Sequence, residues 1–315
     1  MDTGLERSAD RAYLCLSHSP FMTLPGNESA GPIYRRAVEQ AKAFIADFGP
    51  DVVVLFAPDH MNLLNSIRPP FTGVISGKTL AEFDIPECEL DISPLAADLY
   101  ARTVAADVDL AVAEGVSVDH GMGLTLMQLF TRPDAVSLIP IVINAIGFPL
   151  FPVRRAAHVG AVIGELLAER DDKVLFVGTG GLSHNPPFPE PAPGARRFDA
   201  DQRRESIAGA LTYLDEQWDR SILDAMTRAD LGWSHDLTQD ELDRRGGGAN
   251  EIRTWAAAWA AAGNAKADFT SYELVEPWIT GMGVAYGVGT PRRSFSDARP
   301  GTATSERRSD DTCLH

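Results

Sequence analysis

Short apolar runs of strand type alternate along this chain with segments whose apolar residues recur at helical spacing. Most of the runs are continuous, as in strands covered on both faces of a sheet. They cover residues 12–17, 51–57, 110–113, 137–143 and 173–178. Helical spacing is found over Pro32–Phe48, 93–106 and 152–169. This order of elements predicts an α/β fold with a central, mostly parallel sheet flanked by helices on both faces.

The second half of the chain has a different sequence pattern, with more loops and helices and fewer strands. A proline-rich loop is predicted at 185–197, and the glycines at 246–248 predict a turn or hinge. Helical patterns cover 199–228, 238–245 and 249–262, and strand patterns cover 269–275 and 283–288. We therefore expect a single domain over residues 1–290 with a helical C-terminal portion. The polar residues 291–315 are expected to form a disordered tail.

One uncharged stretch, residues 135–153, raises the question of a membrane span. It contains Pro140, Pro149 and Pro152, and a spanning helix rarely tolerates three prolines. We expect instead a buried strand near 136–144, a loop, and a helix with Pro152 as its first residue. No membrane segment is predicted.

The net charge limits the partners that can be expected, and the cysteines bear on disulfides, metal sites and cellular location. The formal net charge of −16 argues against nucleic acid and anionic membrane surfaces, which bind basic patches. Cys15, Cys88 and Cys313 are odd in number and widely spaced, so neither a disulfide framework nor a cysteine metal site is expected. The polar N-terminus does not resemble a signal peptide. These features favour a reducing, cytoplasmic location.

Three histidines follow strand patterns at the point where each apolar run breaks. They are His18 in LCLSHSP, His60 in VLFAPDH and His184 in VLFVGTGGLSH. Open α/β sheets place their chemistry at the carboxyl ends of strands, and histidine is a common metal ligand and acid–base group. A single histidine of this kind is more often a hydrogen-bonded, partly buried residue. Three of them predict a convergent site.

Two of these histidines can be ligands of one metal ion. His18 and His60 end the first two predicted strands, and consecutive strands are often neighbours in a parallel sheet. Two imidazoles and one carboxylate form the facial triad that suits non-haem Fe(II). The spacing leaves the carboxylate open among Asp59, Asp119 and Glu251. Asp59 adjoins a histidine and would point elsewhere on extended backbone, and Glu251 at a helix start also suits the helix dipole.

Two histidines have glycine neighbours that permit close approach of a ligand. They are His120 in SVDHGMGL and His184 in GTGGLSH, and a simple turn explains either one equally well. GTGG lacks the full dinucleotide-binding pattern, and no GxSxG elbow is present. His158, His235 and His315 are expected to be structural or exposed.

Five motifs in order carry a resemblance to a known family. LSHSP, VLFAPDH, VDHG, GGLSHNPPFPE and NEIRTW resemble the class III (LigB-type) extradiol ring-cleavage dioxygenases, and the resemblance covers roughly residues 12–288. The resemblance implies an α/β fold and the opening of a catechol ring by dioxygen. It is strongest to the branch that acts on 2,3-dihydroxyphenylpropionate, which it therefore implies as substrate. A homo-oligomer is also implied.

The resemblance further implies the roles of site residues. His18, His60 and Glu251 match the positions that bind Fe(II) in the family, so the carboxylate ligand is Glu251. His120 and His184 match the acid–base pair, and we expect His184 to be the general base and His120 the general acid.

Asp119 matches a family position near the site and is expected to take part in catalysis. Two other classes of protein stay open at this point. A zinc or iron hydrolase could use the same ligands, and a non-catalytic binding module could share the scaffold. An extradiol enzyme for a different catechol or for an aminophenol is a third alternative.

Overall fold

The computed structural model describes residues 10–185 and 207–289. Its strands are β1 (Arg11–Leu16), β2 (Val52–Pro58), β3 (Phe71–Val74), β4 (Gly77–Thr79), β5 (Ala111–Ala113), β6 (Val116–Val118), β7 (Leu138–Ile143), β8 (Val174–Thr179), β9 (Phe269–Val275) and β10 (Thr280–Val288). Eight of them form one sheet in the order β5-β3-β7-β2-β8-β1-β10-β9, while β4 and β6 form a separate parallel pair. The four central strands β7, β2, β8 and β1 are mutually parallel. The predicted mostly parallel sheet is confirmed.

The expectation that the first two strands are neighbours is wrong. β8 pairs in parallel with both β1 and β2 and lies between them. The connection through the helix after β1 skips one strand position, which the chain fills much later. The carboxyl ends of β1 and β2 therefore flank that of β8, and the loop after β8 reaches the same edge as the loops after the other two.

The helices are α1 (Pro32–Phe48), α2 (Ala96–Ala105), α3 (His120–Phe130), α4 (Val153–Leu167), α5 (Glu216–Arg228), α6 (Gly232–His235), α7 (Gln239–Asp243) and α8 (Ile252–Ala261). They cover both faces of the sheet, as the continuous apolar strands predict. One apolar core contains side chains of α2, α4, α5 and α8, and the other contains side chains of α1 and α3. Successive residues of β2 alternate between the cores, with Val52 and Val54 in the first and Val53 and Leu55 in the second.

Close backbone contacts seat α8 against the sheet. A Cβ atom on Gly160 of α4 would lie 2.0 Å from the carbonyl oxygen of Ala257, and one on Gly178 of β8 would lie 2.5 Å from that of Thr254. Only glycine permits this approach. The N-terminal end of α8, with Glu251 directly before it, is thereby held at the carboxyl end of β8.

Several boundaries differ from the predicted ones for local reasons. Pro152 is the N-cap of α4 and not its first residue. The predicted helix 249–262 is a 3-10 helix, Gly247–Glu251, followed by α8. The described part of the predicted helix 199–228 is interrupted at 212–215, where the Asp215 side chain accepts a hydrogen bond from the Trp218 amide and caps α5.

Other elements had no predicted counterpart. Strands β3, β4 and β6 and helix α3 were absent from the sequence interpretation. The three strands have only three or four residues each and give little periodicity. The predicted tail 291–315 and most of the proline-rich loop lie outside the described residues. Across the described ranges, no helix combines the length and apolar character needed to span a bilayer.

Candidate metal centre and active site

Glu251 lies at the centre of a cluster at the carboxyl edge of the sheet. Its Oε1 is 3.2 Å from Nε2 of His60, and its Oε2 is 4.0 Å from Nε2 of His18. Oε1 is also 3.7 Å from Nε2 of His184. The carboxylate is fully buried, and the Gly181 amide donates a 2.8 Å hydrogen bond to Oε2.

The electrostatics of this carboxylate are unusual. Among the described residues its ion pairs are with histidines alone. Burial acts to raise the pKa of Glu251, but His184, His60 and His18 together hold that pKa well below its usual range. A buried anion is costly unless cations or hydrogen-bond donors compensate it. This site therefore favours binding of a cation.

His18 is directed towards Glu251 by a hydroxyl behind its ring. Its Nδ1 lies 2.9 Å from Oγ1 of Thr179, the last residue of β8, so its Nε2 faces the carboxylate. Burial lowers the pKa of His18 to about 3. The neutral imidazole that results is the form that ligates metals.

Asp119 holds His60 from the side opposite Glu251. One carboxylate oxygen accepts from the His60 backbone amide at 2.5 Å, and the other lies 3.3 Å from its Nδ1. Asp119 also caps α3 by accepting from the Gly121 amide at 2.9 Å. Burial alone would lower the pKa of His60, but Asp119 and Glu251 outweigh it and raise that pKa well above the usual value. Such outer carboxylates orient metal-binding histidines.

His120 is the first residue of α3 and not part of a simple turn. Its ring stacks on that of His60, with centroids 4.0 Å apart, and the edge of Phe83 lies on another side at 5.0 Å. Glu82 accepts from the His120 amide at 2.7 Å and lies 3.2 Å from its Nδ1. The ring is thus fixed on three sides beside the cluster.

His184 lies between two glycines that leave room for its ring. A Cβ atom on Gly181 would lie 2.3 Å from Nδ1, and one on Gly248 would lie 2.0 Å from Nε2. Nδ1 is 3.1 Å from the carbonyl oxygen of Leu182, and the His184 amide donates to the carbonyl of Arg245. The contact with Leu182 indicates a protonated Nδ1, which leaves Nε2 as an acceptor.

The remaining predicted candidates do not face the cluster around Glu251. The Asp59 carboxylate accepts from three backbone amides of its own loop, those of residues 62–64, and so it builds the loop instead of facing the cluster. His158 and His235 are exposed and lie elsewhere.

The donor set fits a metal ion. Ring nitrogens of His18, His60 and His120 lie within 4.8 Å of one another, and the ionised Glu251 adds a carboxylate. Imidazole and carboxylate donors suit iron and several other divalent metals. The adjoining cavity is lined by His184 as well, with Phe21 and Trp278 among its apolar walls. The cavity therefore brings histidine rings and aromatic side chains together.

Three residues of the site had no role in the sequence interpretation. Thr179 ends β8 within the same GTGG segment as the predicted strand end, so the strand-end argument could have found it. Gly248 belongs to a glycine run that predicts only flexibility. Glu82 lies in the segment AEFDIP, which carries no recognisable pattern.

Comparison with known proteins agrees with this arrangement. The sequence-family model described as catalytic LigB subunit of aromatic ring-opening dioxygenase matches residues 12–287. Relatives named 2,3-dihydroxyphenylpropionate/2,3-dihydroxicinnamic acid 1,2-dioxygenase include one from Rhodococcus sp, 34% identical over 311 aligned positions that cover 88% of this chain and 98% of the relative. Another, from Rhodococcus jostii, is 35% identical over 309 residues, with the same shares covered.

A third relative of the same name, from Mycolicibacterium paratuberculosis, is 36% identical over 280 aligned positions that cover 79% of this chain and 89% of its own length. A solved structure of an uncharacterized Escherichia coli K12 protein covers 87% of this chain and 98% of its own. Its 14% identity and TM-score of 0.46 are too low to support any conclusion. The family match and the named relatives support ring opening over a hydrolase or a binding module. The chain belongs to the LigB family of aromatic ring-opening dioxygenases, and it is an extradiol dioxygenase.

Proposed function

We propose that this enzyme opens its aromatic substrate at an Fe(II) ion held by His18, His60 and Glu251. The observation that carries the proposal is the buried, ionised Glu251 carboxylate, which meets the Nε2 atoms of both histidines and no lysine or arginine among the described residues. Fe(II) with two histidines and one carboxylate keeps open positions for both substrate and dioxygen. Asp119 and Thr179 would orient the two imidazoles from behind.

The other two histidines are proposed to move protons. His184 has its Nδ1 directed at a backbone carbonyl, so its Nε2 is the nitrogen proposed to accept a proton from a catechol hydroxyl. His120 has its Nδ1 against the Glu82 carboxylate and lines the same cavity, so its Nε2 is the nitrogen proposed to donate a proton. We therefore assign the general base to His184 and the general acid to His120.

We propose 2,3-dihydroxyphenylpropionate as substrate, because relatives that carry this name cover most of the chain. The aromatic walls Phe21 and Trp278 suit its ring. We also propose a cytoplasmic homo-oligomer. Cys15 and Cys88 are both free, which suits a reducing compartment, and Ile67 and Phe148 are apolar side chains exposed by 78% and 82%.

Oxygen uptake tests the reaction and the substrate together. Full-length protein loaded anaerobically with Fe(II) is mixed with 2,3-dihydroxyphenylpropionate, catechol, protocatechuate or gallate. We expect matched loss of oxygen and formation of a yellow ring-opened product with the first compound. Activity on only one of the other three compounds would overturn the proposed side chain of the substrate but not the ring-opening reaction. Silence on all four with iron bound would overturn the proposed assignment to catechols.

Metal content separates the proposed ligands from the proposed acid–base residues. His60→Ala should lose iron, whereas His120→Ala and His184→Ala should retain iron and lose turnover. His158→Ala, an exposed histidine on α4, is the matched control and should change neither property. Loss of iron from His120→Ala would instead indicate a site made by the three clustered histidines.

A further inference from the structure

We propose that Glu82 is a positioning residue that fixes the ring and the tautomer of His120. The inference rests on the proposed role of His120 in proton transfer. Glu82 belongs to the short segment between β4 and α2. Among the described residues, this segment contributes no proposed metal ligand and no proposed acid–base residue. Its contribution is a carboxylate placed behind the imidazole.

A single oxygen of Glu82 contacts His120 twice. Oε1 accepts from the His120 backbone amide at 2.7 Å and lies 3.2 Å from Nδ1 of the same residue. The amide is at the first position of α3, where backbone N–H groups have no partner within the helix. The same carboxylate therefore accepts a hydrogen bond from the first amide of α3 and orients the imidazole ring, so that ring and backbone move together.

Glu82 has no competing ionic partner. Among the described residues its one ion pair is with His120, and its side chain is 28% exposed. The carboxylate is directed at a histidine that lines the cavity.

The turn that carries Glu82 has a costly backbone conformation. Phe83 and Asp84 both have left-handed φ angles, +48° and +63°, which residues other than glycine rarely adopt in succession. The Ile85 amide closes the turn on the Glu82 carbonyl at 2.8 Å. Strained backbone is retained where the surrounding structure requires it, and it is often found at functional sites.

The same turn touches α3 at two further points. The Phe83 ring meets the edge of the His120 ring, and Ile85 packs against Gly123, where a Cβ atom would lie 3.0 Å from Cδ1 of the isoleucine. The strained turn is thus seated on the first turn of α3. These contacts hold the Glu82 carboxylate beside His120.

The contact has a defined chemical consequence. A carboxylate beside Nδ1 keeps a proton on that nitrogen, because the carboxylate is an acceptor only. Nε2 then remains the atom that takes up and releases the proton at the cavity. Without Glu82, the neutral ring can carry its proton on either nitrogen and can also rotate.

Nuclear magnetic resonance of the full-length, metal-free protein labelled with 15N-histidine tests this contact directly. We expect the neutral His120 ring to carry its proton on Nδ1 in the wild type, with the signal assigned by its loss in His120→Ala. In Glu82→Ala we expect the Nε2-protonated form to appear. An unchanged tautomer would overturn the proposal. Since this readout needs no turnover, it stands or falls separately from the proposed function.

Kinetics supply the second readout. Glu82→Gln keeps an acceptor oxygen but removes the charge, and we expect kcat to fall about 10-fold, and Glu82→Ala about 100-fold, with KM and metal content unchanged. Glu89→Gln removes an exposed carboxylate from the same segment and should leave all three values as in the wild type. Wild-type kcat in Glu82→Ala, or a loss of metal in either Glu82 variant, would overturn the positioning role.

Discussion

A methyl group on Gly248 should displace the imidazole of His184, the proposed general base. A Cβ atom at this position would lie 2.0 Å from Nε2 of His184, whereas ordinary van der Waals contact begins at 3.4 Å. The ring must therefore move by more than 1 Å, since the backbone of residue 248 is tied by its amide to the His184 carbonyl at 3.1 Å. A misplacement of about 1 Å at a reacting group can cost about 100-fold in rate.

We expect Gly248→Ala to lower kcat about 100-fold, with metal content close to that of the wild type. The assay is oxygen uptake at saturating substrate, with metal quantified in the same preparation. Backbone strain is not the cause, because Gly248 does not have a left-handed φ angle. Replacing glycine by alanine at such a position also reduces the entropy of the unfolded chain, so little loss of stability is expected from the backbone itself.

Gly247→Ala is the matched control for this prediction. The added Cβ atom would lie 3.5 Å from Oδ1 of Asn185, which is an ordinary contact, and the part of the chain that the structure describes places no other heavy atom within 4 Å. It should retain the kcat of the wild type. Equal activity of the 247 and 248 variants, whether both high or both low, would refute the argument that Gly248 leaves room for the ring.

Three further predictions concern metal binding, packing and pH dependence. Thr179→Val removes the hydroxyl 2.9 Å from Nδ1 of His18 and should weaken metal binding about 10- to 100-fold, measured by competition with a chelator. Gly160→Ala forces a Cβ atom to within 2.0 Å of a carbonyl oxygen of α8 and should lower the free energy of unfolding by about 1–3 kcal/mol, measured in urea. Burial raises the pKa of Asp219 to about 6, so the folded state holds this proton more tightly than the unfolded state does. Stability should therefore fall as the pH rises from about 4 to about 6, by up to about 3 kcal/mol, and Asp219→Asn should remove this fall.

Each of these predictions has a control. Thr103→Val removes a buried hydroxyl that bonds only within α2 and should leave metal affinity unchanged. Gly209→Ala adds a Cβ atom with no heavy atom of the described ranges within 4 Å, so its unfolding midpoint should match the wild type. Asp224→Asn changes an exposed carboxylate on α5 and should keep the pH dependence of stability. Equal effects in variant and control, or parallel pH curves for Asp219→Asn and the wild type, would contradict the corresponding argument.

Local sequence determined most of the sheet and several helices. The continuous apolar runs of β1, β2, β7 and β8 indicated buried parallel strands because both faces of these strands are covered. Helix α1 was predicted at its observed bounds, since proline begins it and a left-handed glycine, Gly49, ends it. Strands β4 and β6, of three residues each, were missed, whereas the equally short β5 was predicted because it lies in the apolar run 110–113.

The histidines of the site were also accessible from sequence. His18, His60 and His184 each follow a strand pattern, and the carboxyl ends of parallel strands share one edge of a sheet. Glu251 was not accessible in this way. Spacing left it among three carboxylates, and its selection depended on the family resemblance.

Tertiary structure decided which groups meet and which way they face. β8 lies between β1 and β2, so the loop after β8 brings the amide of Gly181 to Glu251 from far along the chain. Glu82 reaches His120 only because a turn with two left-handed residues is packed on α3, and no local propensity favours that turn. Periodicity and strand-end chemistry are local and can be deduced from the chain. The order of strands, the contacts of glycines and the direction of a carboxylate depend on residues far apart in sequence, and packing alone decides them.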